Sequence, residues 1–208
     1  MHLVCLDLEG VLVPEIWISF AEATGIDELK LTTRDVPDYD VLMKGRIMIL
    51  NKNHLLLRDI QHVIEGMEPL PGATEFLKDL RSIGQVIILS DTFAEFARPL
   101  MIKLGDPTLF CNSLEIDAHG SVVGYKLRIK DGKRKSVEAL AAAGFDVIAA
   151  GDSYNDINML GAASKGILFR PPRAIIDKFS EFPVAESHHE LFEMIRTSVL
   201  RLAGKPGA

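Results

Sequence analysis

Hydrophobic residues along this chain gather in short unbroken runs that end in small or acidic residues: Leu3-Val4-Cys5-Leu6, Val86-Ile87-Ile88-Leu89, Val147-Ile148-Ala149-Ala150 and Gly166-Ile167-Leu168-Phe169. None shows the polar alternation of a half-exposed strand, so each predicts a strand buried on both faces. Helical spacing fills the intervals. Pro71-Gly72 introduces a helix with apolar positions at Ala73, Phe76, Leu77 and Leu80, and Arg134 to Ala143 predicts another, stopped by Gly144. The segment after Asn155 and the tail from Glu190 to Leu202 complete the set. Strands alternating with helices mean a parallel sheet covered by helices on both sides. Such sheets bind ligands at the carboxyl ends of their strands.

Two segments break the alternation. Residues 14–69 hold helical patterns and polar turns without a buried strand, so they predict a helical cap over the carboxyl edge, leaving 1–13 and 70–208 as the α/β core. In 110–129, Leu114-Glu115-Ile116 and Val122-Val123-Gly124-Tyr125 flank Asp117-Ala118-His119-Gly120, the pattern of a β-hairpin. The final Gly204-Lys205-Pro206-Gly207-Ala208 is expected to fray.

Composition narrows the function classes. Of 208 residues 48% are hydrophobic, which argues against disorder, and no stretch approaches the ~20 apolar residues of a membrane span. The amino-terminal run lacks a basic flank and contains Asp7, so it reads as a strand instead of a signal peptide. The only cysteines, Cys5 and Cys111, lie in apolar strand-like runs, which points to a reducing cytoplasm without disulfides. With 23 Lys+Arg against 29 Asp+Glu the net charge is −6, unsuited to nucleic acid or an anionic membrane as main partner. An anionic ligand would therefore need local cations or a metal.

The acids supply that site. The first strand ends in Asp7-Leu8-Glu9-Gly10, the second in Ser90-Asp91-Thr92, and another in Gly151-Asp152-Ser153-Tyr154-Asn155-Asp156. Carboxylates from three neighbouring strand ends repel one another unless a cation neutralises them. Oxygen donors without His or Cys favour a hard ion such as Mg²⁺. An aspartate beside that ion can attack a phosphoryl group. Ser90 could hydrogen-bond the phosphoryl oxygens, and Lys133, in Asp131-Gly132-Lys133-Arg134-Lys135, could balance the remaining charge.

These residues resemble the haloacid dehalogenase superfamily and, within it, the phosphoserine phosphatase family. Asp7 matches the nucleophile of the first motif, Ser90 the second, Lys133 the third, and Asp152 with Asp156 the fourth, in the family's order. The resemblance implies a Rossmann-like core with a small helical cap, and Mg²⁺ held by Asp7, the main-chain carbonyl of Glu9 and Asp152, with Asp156 orienting metal-bound water. It implies that Glu9 protonates the leaving alcohol and later activates water. It places Asn155 near the phosphate and Glu15 at the substrate amino group. It puts Met43 and an arginine in the cap, the arginine for the substrate carboxylate. Arg46 and Arg58 are both candidates, and Arg46 is preferred because it shares a short segment with Met43.

Two positions depart from the usual pattern: Glu9 stands where most members have aspartate, and Ser-Asp-Thr where many have Ser-Gly-Gly. Both resemble bifunctional members that carry phosphate from phosphoserine to homoserine, with Asp91 placed to accept hydrogen bonds from a hydroxylated acceptor. The implied roles are in serine and threonine biosynthesis. A phosphoaspartate receiver module and a carbon–halogen hydrolase are the alternatives; the former would lack the cap, the latter would need neither Mg²⁺ nor the second acid. An exposed apolar cap face could support a homodimer. His188-His189 reads as an exposed helix start, Trp17 as cap core that could also line the pocket, and Met48, Met67 and Met159 as packing residues.

Overall fold

A computed structural model describes residues 1–33, 35, 36 and 38–203; the expected frayed end, 204–208, lies outside the described residues. Strand β1 (His2–Leu6) is flanked by β2 (Gln85–Phe93) and β5 (Asp146–Gly151). With β3 (Thr108–Ile116), β4 (Val122–Lys126), β6 (Lys165–Phe169) and β7 (Val184–Ala185), the sheet order is β4-β3-β2-β1-β5-β6-β7. Every neighbouring pair is parallel except β3–β4. The unbroken apolar runs reflect two cores. Val4 and Leu6 of β1, Ile148 and Ala150 of β5, and Ile167 and Phe169 of β6 enter one, while Leu3, Cys5, Val147, Ala149 and Leu168 enter the other. Helices α6 (Gly132–Ala142), α7 (Ile157–Ala162) and α8 (Arg173–Lys178) cover the second core; α4 (Ala73–Ile83), α5 (Ala94–Lys103) and α9 (His188–Ala203) cover the first. Cys5 and Cys111 are free, and burial pushes their thiols up to about 12 and about 11.

Between β1 and α4 the chain is helical, in α1 (Ile16–Thr24), a 3₁₀ turn (Asp27–Lys30), α2 (Tyr39–Lys52) and α3 (Leu57–Gly66). Asp38 starts α2 by accepting the N–H groups of Asp40 and Val41. Among the described residues this helical layer has no separate core. Its Ile16, Phe20, Leu50, Ile60 and Ile64 belong to the same apolar cluster as Phe93, Phe96 and Leu100 beneath it, and Trp17 meets Phe96 edge-on at 5.4 Å. The hairpin ties down its other side. Gly120 and Val122 carbonyls accept from Leu57 N–H (2.9 Å) and Asn51 Nδ2 (3.3 Å), and Tyr125 Oη donates to Asp40 Oδ1 at 2.8 Å.

Several elements depart from the sequence reading. Strand β2 runs on through Ser90-Asp91-Thr92, with a register break between Leu89 and Phe93 that places these residues in a bulge. Strand β3 is more than a hairpin arm: its first half pairs parallel to β2 and its second antiparallel to β4. Helix α5, absent from the sequence reading, contains Pro99. Proline cannot donate to the Glu95 carbonyl four residues back, and Gln61 Nε2 of α3 takes that acceptor at 2.9 Å. His188 is buried, against expectation. Its ring packs on Phe169 (4.8 Å) and Phe76 (5.1 Å), so only His189 is exposed at that helix start.

Candidate active site

Asp7 follows β1 directly, and its N–H extends the β1–β5 ladder by donating to the Ala150 carbonyl at 2.9 Å. The backbone thus fixes the carboxylate at the carboxyl edge, where Oδ1 accepts from Leu8 N–H at 2.7 Å. Lys133, in the first turn of α6, reaches the same point: its Nζ lies 2.8 Å from Asp7 Oδ1, 2.7 Å from Asp156 Oδ1 and 4.0 Å from Asp91 Oδ2. Asp156 is fully buried and accepts the N–H groups of Asp152 and Ser153 on Oδ2, each at 3.1 Å. Carboxylate oxygens of Asp7, Asp152 and Asp156 lie within 4.8 Å of one another.

That density of charge governs the protonation of the cluster. Burial and then Asp156 raise Asp7 well above the usual carboxylate range, with Lys133 pulling the other way. Burial, Asp156 and Glu15 lift Asp152 to about 7. Burial opposes the Lys133 charge, but Asp156, Asp7 and Asp91 outweigh it and hold the ammonium well above its ordinary value. With all three carboxylates ionised, one cation would leave a surplus of two negative charges on oxygen donors, which suits a hard divalent ion. The backbone is shaped to the same end. Gly10 has φ +78°, and a Cβ there would stand 2.5 Å from the Asp152 carboxyl carbon.

Glu9 uses its extra methylene. Its Oε2 accepts the Ile16 N–H at 2.8 Å, so it caps α1, where Glu15 makes no side-chain cap bond. Burial, followed by repulsion from Glu15, brings Glu9 to about 7, moderated by the Ile16 bond and Arg46. Above these acids opens a cavity of about 260 Å³, walled on the core side by Ser90, Asp91 and Asn155 and on the helical side by Glu15, Trp17 and Arg46. Arg46 stacks on Trp17 at 4.5 Å and donates through Nη2 to the Leu31 carbonyl at 2.7 Å. Its Nε is buried without a partner among the described residues. Burial lowers its pKa to about 10 against the pull of Glu9, Tyr39 and Glu15.

Residues 1–164 match the family of haloacid dehalogenase-like hydrolases. This chain belongs to that family. As a haloacid dehalogenase-like hydrolase it is 59% identical, over 92% of its length and 93% of the relative's, to phosphoserine phosphatase ThrH of Pseudomonas aeruginosa. It is 56% identical to a phosphoserine phosphatase of Pseudomonas syringae pv. tomato, over 92% of this chain and 81% of that one. The fold is similar to the crystal structure of a phosphoserine phosphatase in apo form, with TM-score 0.75 and 22% identity over 94% of this chain and 98% of that one. The hydrolase family match displaces the receiver-module alternative.

In this hydrolase the sequence-predicted residues fall unevenly. Asp7, Glu9, Glu15, Arg46, Ser90, Asp91, Lys133, Asp152 and Asn155 all border the cavity, and Asp156 sits beneath it, bonded to Lys133. Met43 does not reach the cavity: it is fully buried behind Arg46, with Nη1 3.8 Å from its Sδ. Arg58 is 81% exposed beside Asp59 on α3, which leaves Arg46 as the arginine at the site. Sequence reasoning missed Tyr39, whose Oη donates to the Asp91 carbonyl at 3.3 Å. It also missed Asn112, which donates to that carbonyl at 3.0 Å and accepts Arg128 N–H at 3.0 Å. A lone amide inside the apolar run Leu109-Phe110-Cys111-Asn112 was the available signal for the second.

Proposed function

We propose that this hydrolase converts L-phosphoserine to L-serine and phosphate through an aspartyl-phosphate on Asp7, requires Mg²⁺, and also passes the phosphoryl group to L-homoserine. The observation that carries the reading is Lys133 Nζ bridging Asp7 and Asp156 directly under a cavity closed by Arg46. The fit to the ion rests on three clustered carboxylates with one lysine between them. Asp7, Asp152 and the Glu9 carbonyl would hold Mg²⁺, with Asp156 supporting them from behind. When bound, Mg²⁺ neutralises charge on the phosphoryl oxygens.

The remaining chemistry belongs to the chain. Arg46 binds the substrate carboxylate and Glu15 its ammonium, fixing the phosphate over Asp7. An Asp7 oxygen forms a bond to phosphorus as the bond to the seryl oxygen breaks, and Glu9 gives that oxygen its proton. In the second step Glu9 takes a proton from water, whose oxygen bonds phosphorus as the Asp7–phosphorus bond breaks. A value near 7 leaves either protonation state of Glu9 within reach at neutral pH. Ser90 and Lys133 donate to the phosphoryl oxygens throughout. For transfer, the homoserine hydroxyl takes the place of water. Asp91, exposed to the cavity and bonded to Asn155 Nδ2 at 3.1 Å, has the acceptor capacity to orient it.

The test is phosphate release from L-phosphoserine with and without chelator, in the native protein and in Asp7→Asn. Absence of release from the native protein with Mg²⁺ refutes the phosphatase, release that survives chelation refutes the Mg²⁺ requirement, and loss of activity with chelator eliminates the carbon–halogen alternative. Adding homoserine should yield phosphohomoserine, seen by ³¹P NMR; free phosphate alone would leave a simple phosphatase. Both cysteines are free, Cys5 buried and Cys111 half-buried, which supports a cytoplasmic setting, and no described helix is long and apolar enough to cross a membrane. Exposed Val41 and Met48 on α2, with Val123 on the edge strand β4, support self-association through that face, to be read by sedimentation.

A further inference from the structure

His188 has no part in the chemistry above, yet it touches both chain crossings between the sheet and the helical layer. Residues 11–13 lead into that layer and 70–72 lead out, and they are bonded to each other where Leu70 N–H donates to the Leu12 carbonyl at 2.8 Å. His188 spans the same pair from α9. Its Nε2 lies 2.8 Å from the Val11 carbonyl and its Nδ1 lies 3.2 Å from the Pro71 carbonyl. Both partners are carbonyls, which only accept; the charged ring donates to both at once, the neutral ring to one at a time. The ring packs between Phe76 and Phe169, inclined by 34° and 28° to them. Gly72 turns the outgoing chain at φ +85°, a conformation that favours glycine, and a Cβ there would meet Nδ1 at an ordinary contact distance of 3.5 Å.

The incoming segment follows directly on the acids. Leu12 and Val13 N–H groups both donate to the Leu8 carbonyl, and Gly10 N–H donates to the Val13 carbonyl, at 2.8, 3.1 and 2.8 Å. Residues 8–13 therefore form one compact turn, and His188 fastens its Val11 carbonyl. A shift at Val11 moves Glu9, and Glu9 in turn caps α1. We propose that His188 is a positioning residue for the reaction: by clasping Val11 and Pro71 it fixes the Glu9 turn and the seating of the helical layer over Asp7. This rests on the roles proposed for Asp7 and Glu9.

The test compares His188→Phe, which keeps the stacking and loses both donors, with His188→Gln and His188→Asn, whose amides reach toward the Nε2 and Nδ1 positions respectively. With L-phosphoserine and Mg²⁺, kcat should fall roughly tenfold to a hundredfold in the Phe variant with KM little changed. The Gln variant, restoring the Val11 contact, should recover more than the Asn variant. Hydrogen exchange without substrate or metal should speed up at residues 8–14 and 68–74 together. An unchanged kcat in folded variants, equal recovery by Gln and Asn, or faster exchange at only one crossing overturns the inference. If the Phe variant does not fold, the Gln–Asn comparison decides alone. A native protein without phosphatase activity would instead refute the function proposed above, and the exchange result would still test the clasp.

Discussion

Replacing Lys133 by methionine keeps the length of the side chain and removes the one cation among Asp7, Asp152 and Asp156. The ammonium is 5% exposed and sits 2.8 and 2.7 Å from two carboxylates that are themselves almost wholly buried. Deleting one partner of a buried ion pair costs about 3–5 kcal/mol, because the other charge stays behind without compensation. In a domain of this size that is a fall in Tm of roughly 6–20 °C. The pH dependence has a definite sign. Asp7 and Asp152 already bind their protons more tightly folded than unfolded. Stability therefore drops as pH rises from the unfolded carboxylate value, about 4, through the folded values. Without Lys133 the folded values rise further and the drop steepens. Urea titrations of Lys133→Met and native protein at pH 5 to 8, in chelator and in Mg²⁺, measure this. The variant should be closest to native at pH 5 and should gain more from Mg²⁺ than the native protein does, since any ion that binds only the folded state stabilises it. A variant within about 1 kcal/mol of native at pH 8 in chelator, the range of an exposed pair, would show that Lys133 is not the counter-ion of this cluster.

Other consequences are testable on the same preparations. Gly10→Ala forces a left-handed residue, costing about 1–2 kcal/mol, and drives its Cβ into Asp152; Mg²⁺ affinity by calorimetry should fall at least tenfold, roughly the effect of disturbing a ligand's support, and unchanged affinity would refute the contact. Because Asp152 must lose a proton held to about 7, Mg²⁺ binding should weaken as pH falls from 8 to 6 and release protons, seen as a heat that depends on buffer ionisation; a pH-independent affinity contradicts this. Arg46→Lys loses the stacked fork over Trp17, and KM for phosphoserine should rise roughly tenfold, the worth of about one charged hydrogen bond; an unchanged KM would remove Arg46 from carboxylate recognition.

The sheet was readable because burial on both faces leaves unbroken apolar runs, and β1, β5 and β6 appear within a residue or two of where those runs stand. The acids were readable because each sits at the end of such a run, where backbone direction alone delivers it to one edge. What escaped the sequence depends on distant partners. Helix α5 was obscured by Pro99, whose local penalty is offset by a glutamine on another helix. The bulge at Ser90–Thr92 follows from pairing with β3, and the two-residue β7 has too little pattern to register. Met43 and Arg46 lie one turn apart on α2, yet of the two only Arg46 borders the cavity, stacked on Trp17 and bonded to the Leu31 carbonyl, partners that no local pattern announces. His188 read as an exposed helix start because the groups that bury it, the rings of Phe76 and Phe169 and the carbonyls of residues 11 and 71, are distant in sequence.

The apolar cluster that runs without a break from Phe93 and Phe96 into α1, α2 and α3 constrains anyone wishing to change what this enzyme accepts. Residues 14–69 expressed alone would leave their inner face bare and should not fold. Grafting the corresponding segment of a relative onto this sheet would meet a floor cut for different side chains. A transplant of specificity would have to carry the upper surface of α5 with it, so the unit that can be exchanged is larger than the loop-to-loop insertion that the chain's topology suggests.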